Sequence, residues 1–551
     1  MSIRTDTETA RDDFRKAIQS VALVQAKHGA VIVASEATGA RDPWLFDFRA
    51  LMLQPKWLNH YAELFWERYA SHYPFQVGGV ETAGIALVAA IVMKGVERGT
   101  PVNGFYIRKS RKRQGLMKTI EGTLNDHPVI LVDDLVNSGQ TMNKQADVLS
   151  RAEKKVTDVF VILSFRADDA YAFFKEKNVS LAHLFTLADF GLPMAGSKAA
   201  EIPDDSFEEI WRYQAPSPSY HLVVQKSAPV LDEERVYFGC DDGTFRALNK
   251  ETGVLAWEYV TGRHPVGKGI LSSPALYGNA IYFGAYDGSV YALDAKTGKK
   301  IWSYEDADWV GSSPAIAADL GLLFIGLEFG LFKRRGGIVA LTLSGERLWS
   351  ASHTGLTHGS PLYIREESLV VIGSNDGILY AYDAKKGDVR WRFTSRGPIK
   401  TRAAYDPLRR TIVFGSMDGT LYALSAADGT ALFARELGAS IYSIPLVVGD
   451  IGYIASLDKH LYAVDLRTGK DVWTFETGGR IFASPIIADE SLWIGSNDGR
   501  LYELDPASGK LRGFFQTTER IVNAIAYDEK HERFFVPTVA NELYCIKRST
   551  L

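Results

Sequence analysis

At 551 residues the chain is longer than a single hydrophobic core usually grows, so two or more domains are expected. A formal net charge of −4 argues against a general nucleic-acid binder, and only two cysteines, Cys240 and Cys545, exclude a disulfide framework. No apolar window is long enough to cross a membrane, and the polar residues 1–8 contain no export core, which points to a cytoplasmic location.

In chain order, residues 43–49 (Pro-Trp-Leu-Phe-Asp-Phe-Arg) form a short aromatic-rich stretch that includes Leu45 and Phe46. Residues 77–85 (Val-Gly-Gly-Val-Glu-Thr-Ala-Gly-Ile) read as a strand end, a glycine-rich turn and an apolar helix, with Gly78, Gly79 and Gly84 allowing close backbone approach to an anion. Residues 108–113 hold five cations in six positions, among them Arg108, Lys109 and Lys112. Such a tract also suits nucleic acid, but aromatic interleaving is absent, and a small anion fits better.

Residues 129–142 (Val-Ile-Leu-Val-Asp-Asp-Leu-Val-Asn-Ser-Gly-Gln-Thr-Met) are the most informative. A continuous apolar run is a strand buried on both faces, and it delivers Asp133 and Asp134 to its carboxyl end, where open α/β sheets hold ligands. Adjacent carboxylates suit the vicinal hydroxyls of a ribose. Asn137, Ser138, Gly139, Gln140 and Thr141 then turn into a helix. Gly139 lets the backbone approach a phosphate, and Ser138, Thr141 and the helix amides donate to it. A further strand, residues 159–163, ends in Phe165-Arg166, where Arg166 is either a site cation or a surface charge.

The Pro/Ser-rich residues 203–219, including a helix-like run to Tyr213, read as a linker between a first domain, residues 1–202, and a second, residues 220–551. From Ser227 one unit repeats every 40 to 47 residues, the period of propeller blades. Second-strand ends recur at Gly239, Gly284, Gly326, Gly373, Gly415, Ala455, Gly495 and Pro537, which makes eight blades. Turn glycines are followed four residues later by Trp257, Trp302, Trp349, Trp391, Phe433 and Trp473, aromatics expected to dock each blade on its neighbour. The eighth unit lacks its outermost strand, and residues 220–225 are expected to supply it and close the ring. Recurrent Asp-Gly turns read as hairpin chemistry and not as metal loops. The third blade departs most, with Lys333, Arg334 and Arg335 in an insertion that is either a functional face or a tolerated loop. His353, His358, Arg396, Lys400 and Arg402 add cationic character between blades.

Residues 129–142, taken with residues 43–49, 77–85, 105–122 and 165–166, resemble the type I phosphoribosyltransferases, and within them the orotate branch, over residues 20–195. The resemblance implies an α/β domain with a parallel sheet and flanking helices. It implies phosphoribosyl pyrophosphate held by Arg108, Lys109, Gly78, Gly79 and residues 137–141, with Lys112, Asp133 and Asp134 as catalytic residues and Phe46, Asn137 and Arg166 at the base. Magnesium would enter with the pyrophosphate, without protein ligands, and a homodimer would place Lys112 in the neighbour's site. The sequence departs from that branch at Gln114, where histidine is usual, at Ala83, near which many relatives place a lysine, and at residues 34–37 (Ala-Ser-Glu-Ala), where a base-side lysine is missing.

The repeat resembles the eight-bladed, tryptophan-docked all-β propellers of pyrroloquinoline-quinone dehydrogenases and of an outer-membrane assembly scaffold. Those dehydrogenases use a clustered acidic calcium site and commonly an adjacent cysteine pair, whereas this chain has only Cys240 and Cys545, far apart in sequence, so a quinone is not expected. Together the parts imply a transferase that moves the phosphoribosyl group to a pyrimidine-like base, with a protein partner or ligand at the propeller. Two other expectations remain: a non-catalytic sensor of phosphoribosyl pyrophosphate or nucleotide, and a bacterial defence or stress effector.

Overall fold

The computed structural model describes residues 6–25, 33–34, 41–42, 44–81, 83–107, 120–137, 139–166, 171, 174, 177–192, 207–215, 227–262, 269–330 and 335–549. The chain divides into two compact units, Met1–Glu201 and Ile202–Leu551.

The first unit is built on six strands: β1 (Gln76–Val80), β2 (Asn103–Ile107), β3 (Ile120–Gly122), β4 (Val129–Val136), β5 (Val156–Ser164) and β6 (Ser180–Thr186). They lie in the order β6-β5-β4-β1-β2-β3, and every neighbouring pair is parallel except β2 with β3. Helices α1 (Asp6–Ala17), α2 (Pro55–Tyr69), α3 (Ala83–Glu97) and α4 (Gln140–Arg151) accompany the sheet. The apolar run that opens β4 serves both faces. Ile130 and Val132 join one core with Phe14, Tyr61, Phe65 and Phe160, while Val129 and Leu131 join the other with Phe105, Met142 and Leu149. That two-sided burial is why the strand carries no alternation of polar residues.

Residues 77–85 fold differently from expectation. Gly78 and Gly79 lie inside β1, all five residues of which are buried, and the turn begins only at Glu81. A Cβ on Gly78 would stand 2.6 Å from the Phe105 ring, and one on Gly79 would stand 2.6 Å from the Gly84 carbonyl oxygen. In this structure both glycines permit close seating of sheet, ring and helix α3.

The second unit contains eight four-stranded antiparallel sheets. Its docking rule is uniform: the indole Nε1 of Trp257, Trp302, Trp349 and Trp391 each donates at 3.0 Å to a backbone carbonyl of the next blade, that of Ala295, Leu343, Ala384 and Ala426. The third blade carries its departure as a longer hairpin, Leu322–Phe329 against Arg335–Thr342, with Lys333 and Arg334 outside the described residues.

Closure of the ring corrects the sequence reading. Residues 220–225 lie outside the described residues, and the strand that completes the eighth sheet is Phe207–Gln214, paired antiparallel with Glu542–Arg548. The stretch reads as linker by composition and is a strand in the structure. Its anchor is Trp211, whose Nε1 donates to the Lys250 carbonyl at 3.0 Å. The ring lies against Gly253, where φ is +70° and a Cβ would stand 2.6 Å from the indole. Trp211 precedes Trp257 by 46 residues, within the repeat, so it is the docking aromatic of the eighth blade.

Candidate functional site

The parallel order of β5, β4, β1 and β2 sends their carboxyl ends to one edge of the sheet, the edge at which α/β ligands are held. A cavity of about 440 Å³ opens there, lined by residues 45–49, Glu81, Ala83, residues 133–137, Gly139, Thr141 and Met142. Four carboxylates (Asp47, Glu81, Asp133 and Asp134) thus meet one guanidinium, that of Arg49, among its lining residues.

Asp133 and Asp134 end the buried run of β4 and are themselves half-buried. The Asp134 amide donates to Asp133 Oδ1 at 3.0 Å, which fixes the first carboxylate against its own backbone. Gly139 then adopts φ +77° as the N-cap of α4, without a side-chain cap, and the Asn143 amide makes a helical bond to its carbonyl at 2.9 Å. A helix start of this kind leaves first-turn amides for a ligand anion, beside the expected Asn137 and Thr141. Ser138 and the side chain of Gln140 lie outside the described residues, as do Arg108, Lys109, Lys112 and Gln114.

The loop after β4 is braced from inside the domain. Arg166 is buried, 3% exposed, and its Nε donates to the Asn137 carbonyl at 3.0 Å. The buried Tyr171 hydroxyl lies 3.1 Å and 3.0 Å from the carbonyls of Val136 and Asn137. Ser164 Oγ, on β5, donates to the Arg166 carbonyl at 3.0 Å. Arg166, expected to face a base, therefore grips the loop that carries Asn137. The Asn137 Oδ1 atom is buried and has no hydrogen-bond partner.

The opposite wall comes from the amino-terminal segment. A two-stranded ribbon pairs Leu23 with Phe46, and the Asp47 amide donates to the Ala22 carbonyl at 2.8 Å. Phe46 packs among Phe48, Phe165 and Phe190, with ring centroids 5.9, 6.2 and 5.3 Å away. Arg49 chelates Asp47, Nε to Oδ1 at 2.8 Å and Nη2 to Oδ2 at 3.0 Å, and this bond holds the Asp47 carboxyl below the usual carboxylate range. Beneath the site, burial pushes the Tyr61 phenol well up, and the nearby Asp133 charge adds to it, so Tyr61 stays neutral.

Asp47, Arg49, Glu81 and Tyr171 were not among the expected site residues. Asp47 and Arg49 stand within residues 43–49, where the apolar side chains give the stronger signal.

Five of the cations singled out in the propeller have partners of their own. His353 is buried between Thr357 Oγ1 at 2.8 Å and the Tyr382 hydroxyl at 2.9 Å, and burial pushes its imidazole down to about 4. His358 faces the buried Glu328 at 2.9 Å, Arg396 pairs with Glu436 at 2.6 Å, Lys400 reaches the Tyr442 hydroxyl at 3.3 Å, and Arg335 lies over the Phe329 ring. Among the described residues no group of three His, Cys, Asp or Glu is placed to hold a metal ion, and no helix is long and apolar enough to cross a membrane.

Comparison with known proteins separates the two units. The family model described as outer membrane protein assembly factor BamB matches residues 199–320, 334–409 and 408–549, more than half of the chain. An orotate phosphoribosyltransferase of Bradyrhizobium sp. (strain ORS 278) is 26% identical over 159 residues, 28% of this chain and 85% of that protein. BamB from Moraxella catarrhalis superposes with a TM-score of 0.51 at 17% identity, covering 63% of this chain and 98% of that one. A europium-containing methanol dehydrogenase superposes at 0.54 and 13% identity, covering 62% of this chain and 93% of that one. At such identities the two structures speak for the propeller fold alone.

Proposed function

The chain belongs to the family of the outer membrane protein assembly factor BamB, whose model spans its propeller, and for the amino-terminal unit we propose phosphoribosyl transfer from phosphoribosyl pyrophosphate to a nucleobase. One observation carries the reading: Asp133 and Asp134 at the carboxyl end of β4 line the same cavity as the left-handed Gly139 that opens α4. Paired carboxylates accept from the two ribose hydroxyls, and the helix start receives the 5′-phosphate. The low-identity relationship to orotate phosphoribosyltransferases over this region supports the same chemistry.

In this reading Asp133 and Asp134 orient the sugar, and Arg108, Lys109 and Lys112 stabilise the charge that gathers on the departing pyrophosphate. Magnesium would enter carried by the pyrophosphate, without protein ligands, beside the carboxylates that line the cavity. When bound, magnesium supplies neutralisation of the leaving group. The propeller recruits a protein partner, and the transferase unit dimerises so that a basic loop is shared between subunits.

A second reading has one observation behind it. Ala83 lines the cavity, near where the resemblance calls for a lysine, and a site short of one cation favours sensing over turnover.

Calorimetry with magnesium and phosphoribosyl pyrophosphate, on the wild type and on Asp133→Asn, followed by pyrophosphate release with a panel of bases, tests both. Binding lost in Asp133→Asn, with release that depends on a base and on Lys112, supports the transferase. Binding without release moves the assignment to a sensor. Absence of binding refutes the site.

A further inference from the structure

We propose that the base-side wall of this cavity takes an uncharged base that presents an N–H donor, and that it rejects a base bearing a carboxylate. The inference rests on the phosphoribosyl-transfer reading of the same cavity and narrows its substrate.

Charge is the first argument. Among the described lining residues Arg49 is the only cation, and both oxygens of Asp47 hold it, with its own amide on Asp47 Oδ1 at 3.1 Å as a third bond. A guanidinium already chelated by a carboxylate offers an incoming anion little net attraction. Arg166 does not supply the missing charge, because it is 3% exposed and bonded to the loop backbone. With Asp47 matched by Arg49, the further carboxylates Glu81, Asp133 and Asp134 leave the described lining in negative excess, so a carboxylate on the base would meet like charge.

Hydrogen bonding is the second argument, and it is independent. The Asn137 carbonyl is bonded to Arg166 Nε and lies within hydrogen-bond distance of the Tyr171 hydroxyl, which fixes the backbone of a residue that lines the cavity. Its side-chain Oδ1 is buried and unpartnered, a costly state that a ligand N–H would relieve on reaching it. A site with a waiting acceptor discriminates strongly against a ligand that cannot donate to it. The aromatic wall around Phe46 supplies stacking surface for a flat, neutral ring.

The chemistry balances without a counter-cation at the base. The ring nitrogen forms its bond to the ribose C1′ as the C1′–O bond to pyrophosphate breaks. Pyrophosphate leaves with the electron pair, and the ring nitrogen gives up its proton to solvent.

The test uses the full chain with magnesium and phosphoribosyl pyrophosphate, and compares uracil, cytosine, adenine and orotate by pyrophosphate release. At least one uncharged base is expected to exceed orotate about tenfold in kcat/KM. Asp47→Ala, which releases Arg49, is expected to raise orotate use about tenfold, and Asp47→Asn to raise it in the same direction. Should turnover be absent, calorimetric binding of the four bases to protein saturated with phosphoribosyl pyrophosphate is expected to give the same ranking. Orotate equal to or better than every uncharged base in the wild type overturns the proposal while leaving phosphoribosyl transfer intact. Failure to bind phosphoribosyl pyrophosphate at all removes the underlying reading, and the base assignment falls with it.

Discussion

Trp211→Ala removes the anchor of the strand that closes the propeller, and its cost follows from three contacts. The indole N–H bond to the Lys250 carbonyl, at 3.0 Å, is worth about 1 kcal/mol. The tilted pairing with Phe535, at 5.8 Å between centroids, adds about 0.5–1 kcal/mol. Loss of the ring from its seat on Gly253 brings the total to about 3 kcal/mol, the lower end for a large aromatic because Trp211 is only half-buried. The unit spans Ile202–Leu551, for which an unfolding entropy of about 0.7 kcal/mol per kelvin is expected, so Tm should fall by about 4 °C. Differential scanning calorimetry reads this directly, with Trp302→Ala as the internal comparison because its indole makes the same bond to Leu343 at 3.0 Å. If Trp302→Ala lowers Tm and Trp211→Ala leaves it within about 1 °C, residues 207–214 do not close the ring.

His353 makes propeller stability depend on pH. Its folded value of about 4 lies below the ordinary 6.5, so between them the unfolded chain binds a proton that the fold refuses, and stability is lost as pH falls through that window. The full loss is about 3 kcal/mol, and His353→Gln should flatten the difference between urea midpoints at pH 7 and pH 4.5. Gly79→Val should cost about 3 kcal/mol or more, because the new side chain meets the Gly84 backbone at 2.6 Å and backbone cannot rotate away; the urea midpoint checks it. Arg166→Met should weaken binding of phosphoribosyl pyrophosphate about tenfold in calorimetry by freeing the Asn137 carbonyl, although Arg166 is not among the residues lining the cavity.

What the sequence made legible was local. Four consecutive apolar residues at 129–132 announce a strand buried on both faces, and two carboxylates directly after it announce a site at the sheet's edge. The blades are legible for a different reason: each repeat solves the same docking problem, so the solution recurs as an indole four residues after a turn glycine. The misreadings lie where a residue's partner is distant in sequence. Trp211 belongs to the same series, but its blade mates, Glu542–Arg548, lie at the other end of the chain, and the nearby prolines and serines read as linker. Arg166 follows a strand as a site cation would, yet which way it turns is decided by the Asn137 carbonyl 29 residues earlier. Gly78 and Gly79 carry the composition of an anion-binding turn, whereas their spacing against Phe105 and Gly84 is that of a packing contact. The Asp47–Arg49 pair is the instructive case, because its chelation needs only two residues of separation. Its chemistry was therefore local, but its meaning was not. The pairing of Leu23 with Phe46 places this pair at the cavity that Asp133, Asp134 and Asn137 also line, and the proposed preference for a neutral ring rests on that placement.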